Sequence, residues 1–411
     1  MSIEPVTPQR ILITGGRAPV ALEWARLLHR NGHHVYMAES SRYHLGRESS
    51  AVAESFQVPP PRQQPKLYLS TLEQLIIEHQ IDLLLPTCEE IFYIAQGLDR
   101  LQKVCRVLAP TLSTLHTLHH KETFIQQVIA NNQVAPITFP VAEPSTDSYD
   151  YAVPNTQGHT FIRKPVYSRF ASQVIMPWES KRTVYSNIND SSAWIAQQYI
   201  KGKSICTYSL VHQGIVIAHA TYTSNYRTSR TGASVYFEAI EHDEAYQWVC
   251  QFIRGTPSDP EYPSTSAFCG QISFDFIEED ATGILYPIEC NPRATSGIHL
   301  FQQEDRIIQA LIDPESIVQS GQVIMPVVGT ARVLTLPMWV AGIKYNRNWQ
   351  DWKNWWHCLQ ATDVVYQADD RKPFWEQFRL VAQAFRISRI QRISLTEALT
   401  YDIEWNGKES L

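Results

Sequence analysis

The chain has 411 residues, 44% of them hydrophobic, with a net charge of −6 and an isoelectric point near 6.2. That length holds two or three cores, and the acidic balance argues against a nucleic-acid-binding surface and against attraction to an anionic membrane. No window reaches the ~20 apolar residues of a spanning helix, Met1 to Arg10 lack a signal-peptide pattern, and seven scattered cysteines without a CxxC pair read as reduced thiols of a soluble cytoplasmic protein.

Arg10-Ile-Leu-Ile-Thr14 is a short apolar strand that ends in Gly15-Gly16. A helical spacing of apolar residues follows from Val20 to Asn31, Gly32 closes it, and His33–Ala38 gives a second strand ending at Glu39. Strand, glycine turn, helix, strand and acid form the opening unit of a doubly wound parallel sheet. A helix near Leu69–His79, a strand at Ile81–Leu85, a helix near Glu89–Lys103 and a strand at Arg106–Ala109 continue the alternation to Pro110. The glycine pair is not a dinucleotide fingerprint, because positions 17–20 are Arg-Ala-Pro-Val and the third glycine is missing. A nicotinamide oxidoreductase is therefore disfavoured; a tight turn is the simpler reading, with an anion at the helix N-terminus left open. Pro86-Thr87-Cys88-Glu89-Glu90 ends another strand, on the edge where open α/β sheets bind ligands. These residues are candidate substrate contacts, or the N-cap and acidic first turn of the next helix.

Ser113 to Asn132 reads as one helix with Lys121 in its middle, and residues 144–158 as a polar loop. Thr160–Pro165 is a strand carrying Arg163 and Lys164 at its end. Strands at Trp194–Ile200, Ser204–Val211 and Ile215–Tyr222 follow, the last two joined by His212-Gln-Gly214, and then a polar loop from Tyr226 to Ser234 holding Arg227 and Arg230.

The richest segment comes next. Gln271-Ile-Ser-Phe-Asp275-Phe-Ile277 and Tyr286-Pro-Ile-Glu289-Cys-Asn291-Pro-Arg293 flank a polar turn containing Gly283, the pattern of an antiparallel hairpin. Side chains alternate along a strand, so Glu289 and Asn291 share a face, and pairing would bring Asp275 beside them. Two carboxylates and a carboxamide are a hard oxygen set suited to Mg²⁺, which takes its remaining ligands from water and nucleotide phosphates. Arg293 offers a planar fork for a phosphoryl oxygen. An ordinary hairpin with a wet polar face would explain each acid singly, but not the ordered set with Asn and Pro in it. Beyond residue 330, Trp339, Trp349, Trp352, Trp355, Trp356 and Trp375 lie close in sequence. Trp352, Trp355 and Trp356 are expected on one helical face, as a docking stripe, with a substrate lid or a monolayer-contacting face as alternatives.

Asp275, Glu289, Asn291 and Arg293 fall as the ATP-grasp superfamily places its metal positions and phosphate-binding arginine, and the chain resembles that superfamily. The resemblance implies an α/β ATP-grasp fold. Its parts would be an N-terminal Rossmann-like pre-ATP-grasp domain (1–112), a linking helix with the small subdomain (113–200), the large subdomain with the metal site (201–330) and a Trp-rich C-terminal extension (331–411). It implies ATP with Mg²⁺, or Mn²⁺ in its place, and a metal set of Asp275, Glu289 and Asn291. It also implies phosphate contacts from Lys121 and Lys164, and adenine contacts along Ala196-Gln-Gln198-Tyr199-Ile200. Arg293 and Arg230 are the catalytic candidates, with the acceptor near Thr295 and Ser296. Two departures stand out. The phosphate loop, Val166-Tyr-Ser168-Arg169-Phe-Ala-Ser172, has no glycine, which leaves Ser168 to contribute, and Ser204 stands where a ribose-binding acid is usual.

A narrower resemblance is to the cyanobacterial mycosporine-glycine synthases. It is carried by Gln198-Tyr-Ile-Lys-Gly-Lys-Ser-Ile-Cys206-Thr207, by both strands of the hairpin, and by Ala361-Thr-Asp363-Val-Val-Tyr-Gln-Ala-Asp-Asp370-Arg-Lys-Pro-Phe374. It implies phosphorylation of an enolic oxygen of 4-deoxygadusol and its condensation with glycine. Two alternatives stay open: a carboxylate–amine ligase acting through an acyl phosphate, and a nucleotide-binding regulatory protein without turnover. Clustered Arg227 and Arg230 would favour a carboxylate acceptor, and aromatic walls a cyclic enolone. The expected partners are small molecules, a cyclic enolone or carboxylate with an amine such as glycine, and a homodimer is left open.

Overall fold

The run Ile11-Leu-Ile13 is buried on both sides, as a strand inside a parallel sheet must be. Ile11 and Ile13 join one core with Trp24, Leu27 and Leu28 of the helix Pro19–Arg30, while Leu12 joins another with Tyr68, Leu69 and Leu72 of the helix Pro65–Glu78. The computed structural model describes residues 7–141, 158–167, 174–177, 193–228, 234–256 and 267–407. The N-terminal sheet contains β1 (Arg10–Thr14), β2 (His34–Glu39), β3 (Glu54–Gln57), β4 (Leu83–Leu85) and β5 (Arg106–Val107), all parallel, in the order β3-β2-β1-β4-β5. The edge strand β3 has no sequence-level signal, because Glu-Ser-Phe-Gln lacks an apolar run and is recruited by pairing with β2.

Two helices differ from the sequence expectation. The helix expected over 89–103 is split into Glu90–Gln96 and Leu98–Leu101 at Gly97, where a Cβ would lie 2.8 Å from Leu69. The helix expected over 113–132 is two, Leu112–His119 and Lys121–Ala130. His120 between them is extended, and its ring nitrogen accepts from Thr123 N–H, so it caps the second helix. Lys121 is thus a first-turn residue rather than a mid-helix one.

The small sheet pairs β6 (Thr138–Val141), β8 (Trp194–Gln198) and β7 (Phe161–Pro165), with β8 central and both neighbours antiparallel. The large sheet runs β13-β12-β9-β10-β11-β14-β15. Its members are β9 (Gly202–His212), β10 (Ile215–Thr223), β11 (Tyr236–Ala239), β12 (Gly270–Glu279), β13 (Leu285–Asn291), β14 (Ala331–Val333) and β15 (Thr362–Asp363). The expected turn at Gln213-Gly214 has φ of 47° and 74°, the two left-handed positions of a tight hairpin. One face of this sheet buries Ile272, Phe274 and Phe276 against Phe124 and Phe252, which leaves Ser273 and Asp275 on the other.

After residue 330 the chain supplies the last two strands of the large sheet and then returns to the N-terminal domain. In the helix Trp349–Leu359 only Trp355 docks as expected. It is 3% exposed, between Trp339 and Trp352 and over Met338, Tyr226 and Tyr236, whereas Trp352 and Trp356 are 42% and 56% exposed. Arg26 reaches from the first helix to Asp370 (2.9 Å) and to the carbonyls of Val364 and Val365, and Asp370 also accepts from Ser49 Oγ and Ser50 N. Trp405 stacks on Phe92 at 5.4 Å. Arg17 lies between Glu39 and Asp402, bonding Glu39 Oε1 from Nε (3.1 Å) and Asp402 Oδ1 from Nη1 (2.6 Å).

Burial resists the ionisation of Glu39 and Asp402, but Arg17 outweighs it and holds both below their ordinary values of 4.5 and 3.8. The stability they add is therefore complete above those ordinary values and is lost as pH falls through the lower folded-state values. Arg17→Ala leaves two carboxylates crowded without their cation and is expected to cost about 3–5 kcal/mol. A drop in melting temperature at pH 7 that shrinks progressively as pH falls below about 4, as the parent loses the same stabilisation, checks this.

Candidate nucleotide and metal site

The hairpin of β12 and β13 sets Asp275 directly opposite Glu289 and Ser273 opposite Asn291, so Asp275, Glu289 and Asn291 share one face as the period-two reading requires. A register irregularity follows Asp275, and Gly283 at φ 73° closes the turn. Asn291 Nδ2 faces both carboxylates, at 3.4 Å from Asp275 and 3.5 Å from Glu289, while its Oδ1 accepts from Arg293 Nη2 at 3.0 Å.

Both expected lysines converge on this face. Lys121 Nζ lies 3.7 Å from Glu289 Oε2 and donates to Val166 O at 3.3 Å, and Lys164 Nζ donates to Ile288 O at 3.1 Å. Both side chains are buried. Burial and the neighbouring Lys121 push Lys164 down to about 7. Burial, and then the charge of Glu289, pushes Asp275 up to about 6. Burial also opposes ionisation of Glu289, but Lys121 and Lys164 win and hold it low. The site is thus short of positive charge at Asp275 and short of negative charge at Lys164. A divalent cation would answer the first and a polyphosphate the second. Among the described residues no group of three His, Cys, Asp or Glu side chains is placed to hold a metal ion, so the candidate centre rests on two carboxylates and an amide. Such a set leaves positions for phosphate oxygens and water, which fits Mg²⁺ or Mn²⁺ better than an all-protein cage.

These groups line a cavity of about 610 Å³. Its lining includes the apolar side chains of Ile162, Val174, Met176, Ile277 and Ile288, together with Gln198, Tyr199 and Ile200. The N–H groups of Gln198 and Tyr199 are bonded to Ile137 O and Thr160 O, both at 2.8 Å, so a purine would meet other backbone groups of this segment. Ser204 lines the cavity and accepts from Arg227 Nη2 at 2.5 Å, which leaves its O–H able to donate. Ser168 and Arg230 lie outside the described residues.

Arg293, Thr295 and Ser296 line the cavity as well. Arg293 Nη2 is 3.7 Å from Glu89 Oε1, so the Thr87–Glu90 segment does meet the site, though not as a uniform set. Glu90 turns inward and accepts from Thr14 Oγ1 (2.7 Å), Thr87 N and Cys88 N, which makes it a brace of the turn, while Cys88 lines the cavity. The anion position left open at the Gly15-Gly16 turn is filled from within: Arg17 N donates to Glu39 Oε2 at 3.0 Å. Sequence reasoning missed His119, which burial pushes down to about 4 behind the lysines. It also missed the buried pair His299–Glu23 (3.1 Å), of which His299 lines the cavity. Neither carries a spacing that singles it out.

No protein-family model and no curated protein matches the sequence. Among solved structures the chain is similar to N5-carboxyaminoimidazole synthetase from Staphylococcus aureus complexed with ADP, at 18% identity and a TM-score of 0.56 over 81% of this chain and 82% of that one. It is similar to L-amino acid ligase from Bacillus licheniformis, at 14% identity and a TM-score of 0.53 over 74% of each chain. A third is the biotin carboxylase domain dimer of Hydrogenobacter thermophilus 2-oxoglutarate carboxylase, in complex with MgADP, ADP and bicarbonate, at 13% identity and a TM-score of 0.51 over 71% and 65%. The fold is the ATP-grasp fold.

A polyanion beside Lys164 restores its charge, so nucleotide binding above about pH 7 should take up a proton. Calorimetric titration with MgADP at pH 8, in buffers of different ionisation enthalpy, should show this uptake. Lys164→Met should abolish the uptake and weaken binding about tenfold or more.

Proposed function

We propose that the protein is an ATP-dependent, ADP-forming ligase that joins carbon to nitrogen. The observation that carries this reading is the convergence of Lys121, Lys164, Asp275, Glu289, Asn291 and Arg293, from both sheets and the linking helix, on one cavity. ADP and MgADP in the similar structures support the choice of nucleotide and metal. Asp275, Glu289 and Asn291 would hold the metal. When bound, it would neutralise charge on the transferring phosphoryl group. Lys121 and Lys164 would hold the phosphates as point charges, and Arg293 would offer its fork to the phosphoryl oxygen facing the acceptor. Phosphoryl transfer leaves little covalent work to side chains, so this positioning is the protein's share. Transfer to an acceptor oxygen makes that oxygen a leaving group, and an amine then displaces it as phosphate.

For the acceptor we propose the enolic oxygen of 4-deoxygadusol, with glycine as the amine, giving mycosporine-glycine. Support comes from the sequence resemblance in the hairpin and in residues 361–374. Within that last segment Asp363 accepts from Thr335 N, Val365 N and Tyr366 N, and Asp370 from Arg26, so those two acids hold the extension in place. The second reading is a carboxylate–amine ligase acting through an acyl phosphate, favoured by the similarity to an L-amino acid ligase. The described cavity walls are mostly aliphatic rather than aromatic, and Arg227 is engaged by Ser204, so neither acceptor class gains from the walls alone.

ADP release with MgATP should require 4-deoxygadusol, and glycine should then yield a new ultraviolet-absorbing adduct. ADP release that ignores the enolone but follows a carboxylate would select the second reading. Absence of turnover with every acceptor, despite ATP binding, would sink both. Glu289→Ala should lower ADP release by about 10²-fold or more while leaving the melting temperature close to the parent's; near-parent turnover would remove Glu289 from the metal set.

A further inference from the structure

One wall of the cavity comes from a part of the chain that the nucleotide and metal groups do not use. The helix Lys372–Gln391 lines it with Gln377, Leu380 and Val381, and the tail beyond adds Leu399 and Thr400. The N-terminal domain supplies Ala18, Pro19 and Leu45 to the same cavity. This wall is fastened to the N-terminal domain. Arg17 Nη1 donates to Leu399 O (3.0 Å) and pairs with Asp402, Ser40 Oγ donates to Asp402 (2.6 Å), and Tyr43 N donates to Gln383 Oε1 (3.3 Å).

The charge balance at this wall is tight. Among the described residues, the arginines lining the cavity are Arg17, Arg227 and Arg293. Arg17 is committed to Glu39 and Asp402, and Arg293 already faces Glu89 and the oxygen of Asn291. Arg227 donates to Ser204 Oγ. A phosphate monoester or a dicarboxylate held against this wall would meet apolar side chains and an Arg17 already paired with two carboxylates, so its charge would be poorly offset. A body with an aliphatic face instead buries apolar surface against Leu45, Leu380, Val381 and Leu399.

We propose that the segment after residue 371 is the acceptor-selecting wall of the site, with Leu380, Val381 and Leu399 as its specificity residues. The wall admits a small acceptor with an aliphatic or alicyclic face and at most one net negative charge, and it rejects phosphorylated acceptors. That the acceptor lies against this wall rests on the ligase reading above; the wall and its charge balance do not.

The test is acceptor binding by the full-length protein saturated with MgADP, followed as a further rise in melting temperature. The probes are 4-deoxygadusol, leucine, ribose 5-phosphate and glutamate, and ADP release from MgATP is read in parallel. The expected result is stabilisation by 4-deoxygadusol or leucine and none by the other two. Val381→Trp and Leu399→Trp, which fill the space at this wall, should weaken that binding at least tenfold and leave ADP affinity within twofold. The exposed Trp356→Ala should change neither. Comparable binding of ribose 5-phosphate or glutamate, unaltered acceptor affinity in both Trp variants, or no stabilisation by any probe would overturn the proposal. Acceptor binding without ADP release sinks the ligase reading and leaves the wall standing.

Discussion

The site is organised by an unbalanced set of charges, two of them on buried lysines. Asp275 and Glu289 face each other across one hairpin, and Lys121 and Lys164 lie buried on the same face beside them. The four do not neutralise one another evenly. Glu289 takes the benefit of both lysines, Asp275 is left to be pushed up, and Lys164 is pushed down beside Lys121. A closed salt bridge would give a quiet interior. Here a cation beside Asp275 and an anion beside Lys164 would lower the energy of the same arrangement, which makes it poor as a core and supports the proposed metal–nucleotide ligand.

Three elements hold that imbalance in place. The large sheet buries Ile272, Phe274 and Phe276 on its far face, so the hairpin cannot slip by one residue without turning its acids into the core. The break at His120 starts a helix at Lys121 and sets its ammonium near Glu289. The strand β7 carries Lys164 to the carbonyl of Ile288, the residue preceding Glu289. Each uses ordinary backbone geometry to place a charge where water would otherwise solvate it.

The C-terminal extension joins these parts to the N-terminal domain. Arg26 and Arg17 reach residues more than 340 positions away, Asp370 and Asp402, and both arginines are buried. Buried pairs of this kind contribute little net stability against an apolar replacement but are costly to break, so they act as fasteners. What they fasten is a wall of the cavity, not the aromatic stripe that the tryptophans suggest; of Trp352, Trp355 and Trp356 only Trp355 is sequestered.

The hairpin was legible from sequence because its geometry is local. A period of two and a short turn decide which side chains share a face, so Asp275, Glu289 and Asn291 could be placed together without knowing anything else. The parallel opening sheet was legible for the same reason, as apolar runs alternating with helical spacing. The edge strand at Glu54–Gln57 and the break at His120 were not, because a polar edge strand exists only through its neighbour and histidine is not a usual cap. Only the tertiary structure decided that Glu39 fills the anion position at the glycine turn, that Glu89 meets Arg293, and that Leu380, Val381 and Leu399 wall the cavity. Those contacts join segments tens to hundreds of residues apart, and nothing in local spacing records a partner brought near by packing of the whole chain.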